Sequence, residues 1–359
     1  MNKIIVNATA LRAGGALTIL RQFIEAIPDD GFEYLVFVDN SVKIHNLKQN
    51  LQIVPQNVLS FYRRFKWDAY GLKSWLKEND IQPLVAISLQ NTNFRLDAVC
   101  PNYIYYHQSI PLFHYNWNFF KASERSLWFY KNIYPFFVKL FINTKTEIFV
   151  QLDFIKESFA LKYKFPRNKI HVVFPRIEIP VIAESFEIKI DKAKFNLFYP
   201  ASNVFFKNHN ILFSSLEYID KQLVRTIVLY LSNKEIDFEV PKNLNNVEFV
   251  FLGQISFKEV LWMFKNVHCL VFPSYIETLG LPLIEAASFG LQIIASDLPY
   301  AREVLDGYEG VTYIDYQNSK SWGNEILKLS AQNNTRFEPY KKDNIKSWSD
   351  FFNRIKENL

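Results

Sequence analysis

Cysteine is nearly missing from this sequence: Cys100 and Cys269 are the only two in 359 residues. They stand far apart, in what read as different domains, which argues against a disulfide framework and a zinc site built on thiolates and fits a reducing compartment. Glycine (10) and proline (15) are too few for disordered or low-complexity tracts, and no short repeat is visible. Long apolar runs are lacking as well. The most apolar segment, IYPFFVKLFI at 133–142, contains Lys139 and falls well short of the ~20 residues a membrane crossing requires. The N-terminal MNKIIVNATALRAGG has one apolar stretch broken by Asn7 and Thr9, weak for a signal peptide and better read as a first strand. His45, His114, His171, His209 and His268 show no metal-ligand spacing with carboxylates or cysteines, so no metal centre is expected. Nor is charge concentrated. The formal balance is only +5 and the lysines are scattered; with no recognition-helix, zinc-finger or RNP pattern, nucleic acid is not expected as a partner. Contact with phosphate groups or an anionic membrane stays open.

What is present is alternation. Strand-like KIIVN (3–7), EYLVFV (33–38), LVAIS (84–88), YIYYH (103–107), EIFV (147–150) and KIHVV (169–173) are interleaved with helical patterns over 16–27, 67–79, about 117–143 and 152–164. A second series follows: NLFYP (196–200), RTIVLYL (225–231), VEFVFLG (247–253), CLVFP (269–273), LQIIAS (291–296) and GVTYI (310–314), with helices over 207–220, 256–266, 282–289 and 318–330 and a terminal helix over 338–358. This is βαβ grammar, written twice. The length also favours two domains. The break falls in FPRIEIPVIAESFEIKI (174–190), where Pro175 and Pro180 interrupt a stretch with neither period. The expected fold class is α/β, with two doubly wound domains facing a central cleft, and ligands at the carboxyl ends of the strands.

One such strand end carries IETLGLPLIEAASFG (276–290). Pro282 suits the first helical position and biases Leu281 away from helical geometry, so the helix is expected to start at Pro282 with Leu281 as its cap. Leu281 has no side-chain acceptor or charge to offer the first turn. Gly280 permits close backbone approach, and a phosphate group matches the orphan amides and the positive end of the helix dipole. The bland alternative is that Glu285 merely favours the dipole, Thr278 caps the helix and Glu277 is solvated.

The order strand, PSYIETLGLP, glutamate, small-residue helix AASFG and a strand ending in SDLPYAREV resembles the donor site of retaining glycosyltransferases of family 4, the glycosyl transferases group 1 type. The resemblance is strongest over about 250–305. It implies a GT-B fold: a Rossmann-like acceptor-side domain over 1–178, to which the terminal helix at about 338–359 returns, and a nucleotide-sugar-binding domain over 190–337. It implies that Glu277 sits against the donor sugar, that Glu285 holds the ribose hydroxyls, and that the backbone at Leu279, Gly280 and Leu281 meets the diphosphate. Gly253, at the end of VEFVFLG, is placed on the donor side too.

In YPASNVFFKNHNIL (199–212), Lys207 fits the family's diphosphate-binding lysine, or is a solvated first-turn lysine. No arginine occurs between 177 and 224, so the lysine's usual partner is absent, and Ser202 or Asn203 offers only neutral hydrogen bonds. Gly14 and Gly15 resemble the glycine loop of the N-terminal domain, or are ordinary turn glycines. Asp39 stands where a dinucleotide-binding acid would fall, yet G-x-G-x-x-G is lacking. His107 resembles a histidine the family holds near donor sugar or acceptor; a lone histidine at a strand end also serves as a structural hydrogen-bonding residue. The segment 112–142 mixes Trp117, Phe119, Phe120, Trp128, Phe136 and Phe137 with Lys121, Arg125, Lys131 and Lys139, either a core helix or an interfacial one.

The activity implied is transfer of a sugar from a nucleotide-diphosphate sugar to a hydroxyl of a glycan or polyprenyl-linked acceptor, with retention and without a metal or other cofactor. Lipopolysaccharide or surface-polysaccharide assembly at the inner face of the cytoplasmic membrane is its setting by analogy. A nucleotide-sugar epimerase of the same architecture and a non-catalytic nucleotide-sugar or membrane-binding subunit are the rivals.

Overall fold

A computed structural model describes residues 2–44, 48–96, 100–177, 179–180, 186–332, 335–342 and 346–359. His45 and part of the 174–190 segment lie outside them. Two compact units form: Met1–Arg176 with Ile345–Leu359, and Ile177–Asn344.

The first unit runs β1 (Lys3–Asn7), α1 (Gly14–Ala26), β2 (Glu33–Asp39), β3 (Leu51–Gln56), α2 (Phe61–Lys66), α3 (Leu72–Glu78), β4 (Pro83–Ser88), β5 (Asn102–Tyr106), α4 (Arg125–Asn132), α5 (Tyr134–Lys139), β6 (Thr146–Val150), α6 (Asp153–Tyr163) and β7 (Ile170–Val172). Its seven strands lie in the order β3-β2-β1-β4-β5-β6-β7, and every pairing is parallel. The second unit runs β8 (Phe195–Tyr199), α7 (His209–Ile219), β9 (Ile227–Leu231), β10 (Val247–Phe251), α8 (Phe257–Asn266), β11 (Cys269–Phe272), α9 (Leu281–Ala287), β12 (Gln292–Ser296), α10 (Pro299–Val304), β13 (Val311–Ile314) and α11 (Ser319–Ser330). Its order is β10-β9-β8-β11-β12-β13, again parallel. Both sheets reverse direction beside their first strand, which is the doubly wound arrangement. Central strands buried on both faces explain why their sequences read as unbroken apolar runs.

The terminal helix α12 (Trp348–Glu357) completes the first unit. Ser347 and Asp350 close a capping box at its start, and Trp348, Phe351, Phe352 and Ile355 join the core around Phe23 and Tyr105. Trp348 stacks on Tyr105 at 4.9 Å and meets Phe23 edge-on at 5.6 Å, a geometry that favours aromatic pairs beyond the area they bury.

Several expectations need correction. Strand β3 was not foreseen, because Pro55 breaks its pattern; it lies on the sheet edge, where a missing amide is tolerated. The aromatic helix over 117–143 is two short helices: Ile133 separates α4 from α5, whose first turn holds Pro135. The terminal helix begins at Trp348 rather than 338, and α10 follows β12 unannounced. Helix α9 starts at Leu281, so its cap is Gly280, at φ +73°. Only glycine adopts that conformation without strain, and a Cβ there would also press on Tyr300 at 3.2 Å. His107 stands one residue beyond β5.

Candidate functional site

In the second unit, two strand-to-helix connections are tied together at the carboxyl end of the sheet. After β8 the chain makes a 3-10 turn, Phe205–Lys207, and Asn208 then takes a left-handed conformation at φ +58°, which asparagine tolerates better than most residues. The Asn208 Nδ2 donates to the carbonyls of Tyr316 (2.8 Å) and Pro273 (3.4 Å). The amide of Tyr275 and the Oγ of Ser274 both donate to the Phe206 carbonyl. Two buried tyrosines complete the frame: Tyr199 donates to the Lys207 carbonyl and Tyr300 to the Ser274 carbonyl, each at 2.6 Å. With both turns fixed, the Lys207 ammonium meets a Glu277 carboxylate oxygen at 2.5 Å. Phe206 and Phe272 lie under the ammonium, so the charge is held by one carboxylate and two ring faces.

Glu285 lies on α9 and is 7% exposed. Among the described residues no side chain or amide donates to its carboxylate. Burial, with nothing opposing it, pushes its pKa up to about 7. The amides of Leu279, Gly280 and Leu281 likewise make no hydrogen bond among the described residues. A buried acceptor and a short row of donors thus stand on one helix turn at the sheet's carboxyl end, the end at which doubly wound sheets generally bind ligands.

Other predicted residues stand differently. Asn203 is exposed and spends its Nδ2 on the carbonyl of Asp237 at 2.7 Å. Gly253 has φ +68° beyond β10, and its amide donates to Asn233. His209, beside Lys207 in sequence, is caged by Tyr199 and Phe238; burial first, then the Lys207 charge, lowers its pKa to about 4.

In the first unit, Gly14 and Gly15 open α1 rather than forming a loop before it; Gly14 has φ +56°, and a Cβ on either would meet nothing within 4 Å. His107 receives its backbone anchor from Asn91 Oδ1 at 2.6 Å, and its Nε2 bonds the Leu89 carbonyl at 3.0 Å. The proton is therefore on Nε2, and burial lowers the pKa, leaving a neutral ring. Asp39 is committed to Ser41 and Val58, which donate to its two oxygens; it fastens a turn and is not open to a ribose. Sequence reasoning passed over Asp68. It lies on the π-turn Trp67–Gly71 between α2 and α3 and accepts from Asn7 Nδ2 (2.7 Å) and Gln90 Nε2 (2.9 and 3.0 Å). The polar residues crowding the ends of β1 and β4 were the available signal. No group of three metal-ligating side chains occurs among the described residues.

Residues 182–344 match the family described as Glycosyl transferases group 1. The chain is 25% identical over 205 residues to the O-antigen chain mannosyltransferase RfbU of Salmonella typhimurium, the match taking in 55% of each chain, so only about half of that relative's length is spanned. Among solved structures, it resembles sucrose-phosphate synthase from Thermosynechococcus elongatus (TM-score 0.64, 14% identity, 92% of this chain and 90% of that one). It also resembles WaaG, a glycosyltransferase involved in lipopolysaccharide biosynthesis (TM-score 0.63, 16% identity, 92% and 90%). At such identities the likeness speaks for the fold, which is GT-B.

Proposed function

From a second unit that matches the glycosyl transferases group 1 family, we propose that the chain transfers a sugar from a nucleotide-diphosphate sugar to a hydroxyl of a glycan or polyprenyl-linked acceptor, with retention, in the assembly of a surface polysaccharide such as O-antigen. The observation that carries the reading is Glu285: a buried carboxylate with no donor among the described residues, one helical turn from three amides that bond none of them. Ribose hydroxyls would supply the missing donors, and the diphosphate would take the amides at Leu279, Gly280 and Leu281.

Bond cleavage to the leaving diphosphate builds negative charge on phosphate and positive charge on the sugar. Lys207 is the cation assigned to the first. Glu277, which holds Lys207 in the absence of donor, steadies or orients the second once the phosphate shares the ammonium. In this scheme preorganised donors take the place of a metal. Gly14, Gly15 and His107 are assigned to acceptor and donor sugar from the first unit. The exposed Phe119, Phe120 and Phe136, with Arg125 over the Phe119 ring, support peripheral contact of 112–142 with the cytoplasmic membrane face; no helix among the described residues is long and apolar enough to cross it.

The test is a screen of UDP-, GDP- and TDP-sugars for protection against unfolding, followed by transfer assays with the protecting donor. Glu277→Gln should bind that donor normally and lose about a hundredfold in turnover. Parental turnover in this variant and in Lys207→Ala would overturn the reading. Donor binding without transfer to any acceptor would favour a non-catalytic subunit, which the missing arginine also suits; sugar inversion without acceptor would mark an epimerase.

A further inference from the structure

The opposite end of the second sheet holds a different kind of group. Lys192, Arg225 and His268 stand one to three residues before β8, β9 and β11, so in a parallel sheet they share its amino-terminal edge. With Lys265 and Arg336 they line a polar groove of about 470 Å³, within the range of about 300–1,000 Å³ typical of small-molecule sites. Strands of five residues at about 3.3 Å per residue put this edge about 15 Å from the turns that carry Lys207 and Glu277. It is therefore not part of the donor site, and it is not where doubly wound sheets usually bind ligands.

Among the described residues no acid lines the groove. The Arg225 guanidinium is held by the carbonyls of Lys192, Ala193 and Lys194, and that of Arg336 by the carbonyls of Phe264, Lys265 and Val267 at the end of α8. These bonds fix the groups without cancelling their charge. Among the described residues none of the four cations has a carboxylate within ion-pair distance. The carboxyl end of α8 offsets roughly half a charge, against four positive ones.

His268 supplies the directional donor. Its Nδ1 accepts from the Asn196 amide at 2.9 Å, which places the proton on Nε2, and that N–H has no partner among the described residues although the residue is only 7% exposed. Phe195 lies stacked on the imidazole and under the Arg225 guanidinium, fixing both. Burial and the two arginines hold the His268 pKa down to about 4, so the ring enters this field as a neutral donor.

We propose that Lys192, Arg225, Lys265, His268 and Arg336 form a second anion site, for a phosphate-ester or diphosphate group, on the edge of the second unit opposite its donor site. Phosphate matches the site because it accepts several charge-assisted bonds at once. The group arrives either as a free phosphorylated small molecule or as the headgroup of an anionic lipid.

Pyrophosphate is titrated into the full chain while the His268 imidazole is followed by NMR, its signal assigned with His268→Asn. The expected result is a saturable shift of the Nε2–H signal that survives in Lys207→Ala and is about tenfold weaker in affinity in Lys192→Gln/Lys265→Gln; those lysine side chains make no framework bond among the described residues. Because His268 reports only on this edge, failure here is distinguishable from failure at the donor site. In a second arm the chain is sedimented with phosphatidylglycerol or phosphatidylcholine vesicles. Loss of phosphatidylglycerol binding in the double variant identifies a headgroup ligand, and unchanged sedimentation beside an intact pyrophosphate response identifies a free one. An unmoved His268 signal with both pyrophosphate and phosphatidylglycerol, or an affinity unaltered in the double variant, overturns the proposal.

Discussion

Asp68 in the first unit and Glu285 in the second are both buried carboxyls whose pKa burial pushes up to about 7. Their surroundings differ. Asp68 is met by two amide side chains, Asn7 and Gln90, contributed by the ends of neighbouring strands, and those bonds partly oppose the desolvation. Among the described residues Glu285 has no such donor, and none of them relieves its burial. A raised carboxyl pKa therefore does not by itself mark a ligand site. Where the chain supplies the donors, the acid is a fastening; where it does not, the donors are expected from outside.

The sharpest way to break this contrast is to remove each acid. Asp68→Leu strands the amide donors of Asn7 and Gln90 in a dry interior and should destabilise the first unit by about 3–5 kcal/mol in urea titrations, with donor binding intact in whatever fraction is folded. Glu285→Ala strands nothing. Its stability should hold within about 1 kcal/mol, while calorimetry finds donor affinity down about a hundredfold, because two hydroxyl bonds to a charged acceptor are lost. A variant pair showing the reverse pattern would exchange the roles assigned to the two acids.

A smaller effect concerns pH. Hydroxyl donors stabilise ionised Glu285, so donor affinity should rise as pH climbs to about 7 and level above it. At pH 6 it should lie about tenfold below the plateau. Glu285→Gln should abolish this slope, and Asp68, with a similar pKa but no donor contact, should leave it in place.

How much of this was legible beforehand follows from which interactions are local. Apolar runs such as KIIVN and CLVFP announced buried parallel strands, and Pro282 announced a helix start, because those signals depend on neighbours in sequence. The sequence places the cap at Leu281, whereas it belongs to Gly280, whose left-handed φ and whose close neighbour Tyr300 lie outside what the local pattern shows. The ion pair between Lys207 and Glu277 joins residues 70 apart, and the Asp68 network joins three chain segments; neither leaves a trace in spacing. Nor does the cationic groove, since Lys192, Arg225, Lys265 and Arg336 are scattered in sequence and share an edge only once the sheet is wound.

The finest test of the comparison is the stability of the donor-free protein with Glu285→Gln. A carboxyl whose folded pKa lies above its unfolded value of 4.5 costs nothing below pH 4.5, where it is protonated in both states. Its penalty grows as pH rises toward about 7 and is constant above, with an upper bound of about 3 kcal/mol. Glutamine removes that pH-dependent loss but keeps a buried amide that lacks a partner, which itself costs about 1–3 kcal/mol. The net expectation is a variant about 1 kcal/mol more stable than the parent at pH 8, with the advantage gone or reversed at pH 5, as urea midpoints at the two values would show. The corresponding Asp68→Asn change keeps an Oδ1 that accepts from Asn7 and Gln90 but turns amide hydrogens toward Gln90 Nε2 where Oδ2 accepted. It should destabilise at pH 5 and less so at pH 8, where it also removes an ionised buried acid.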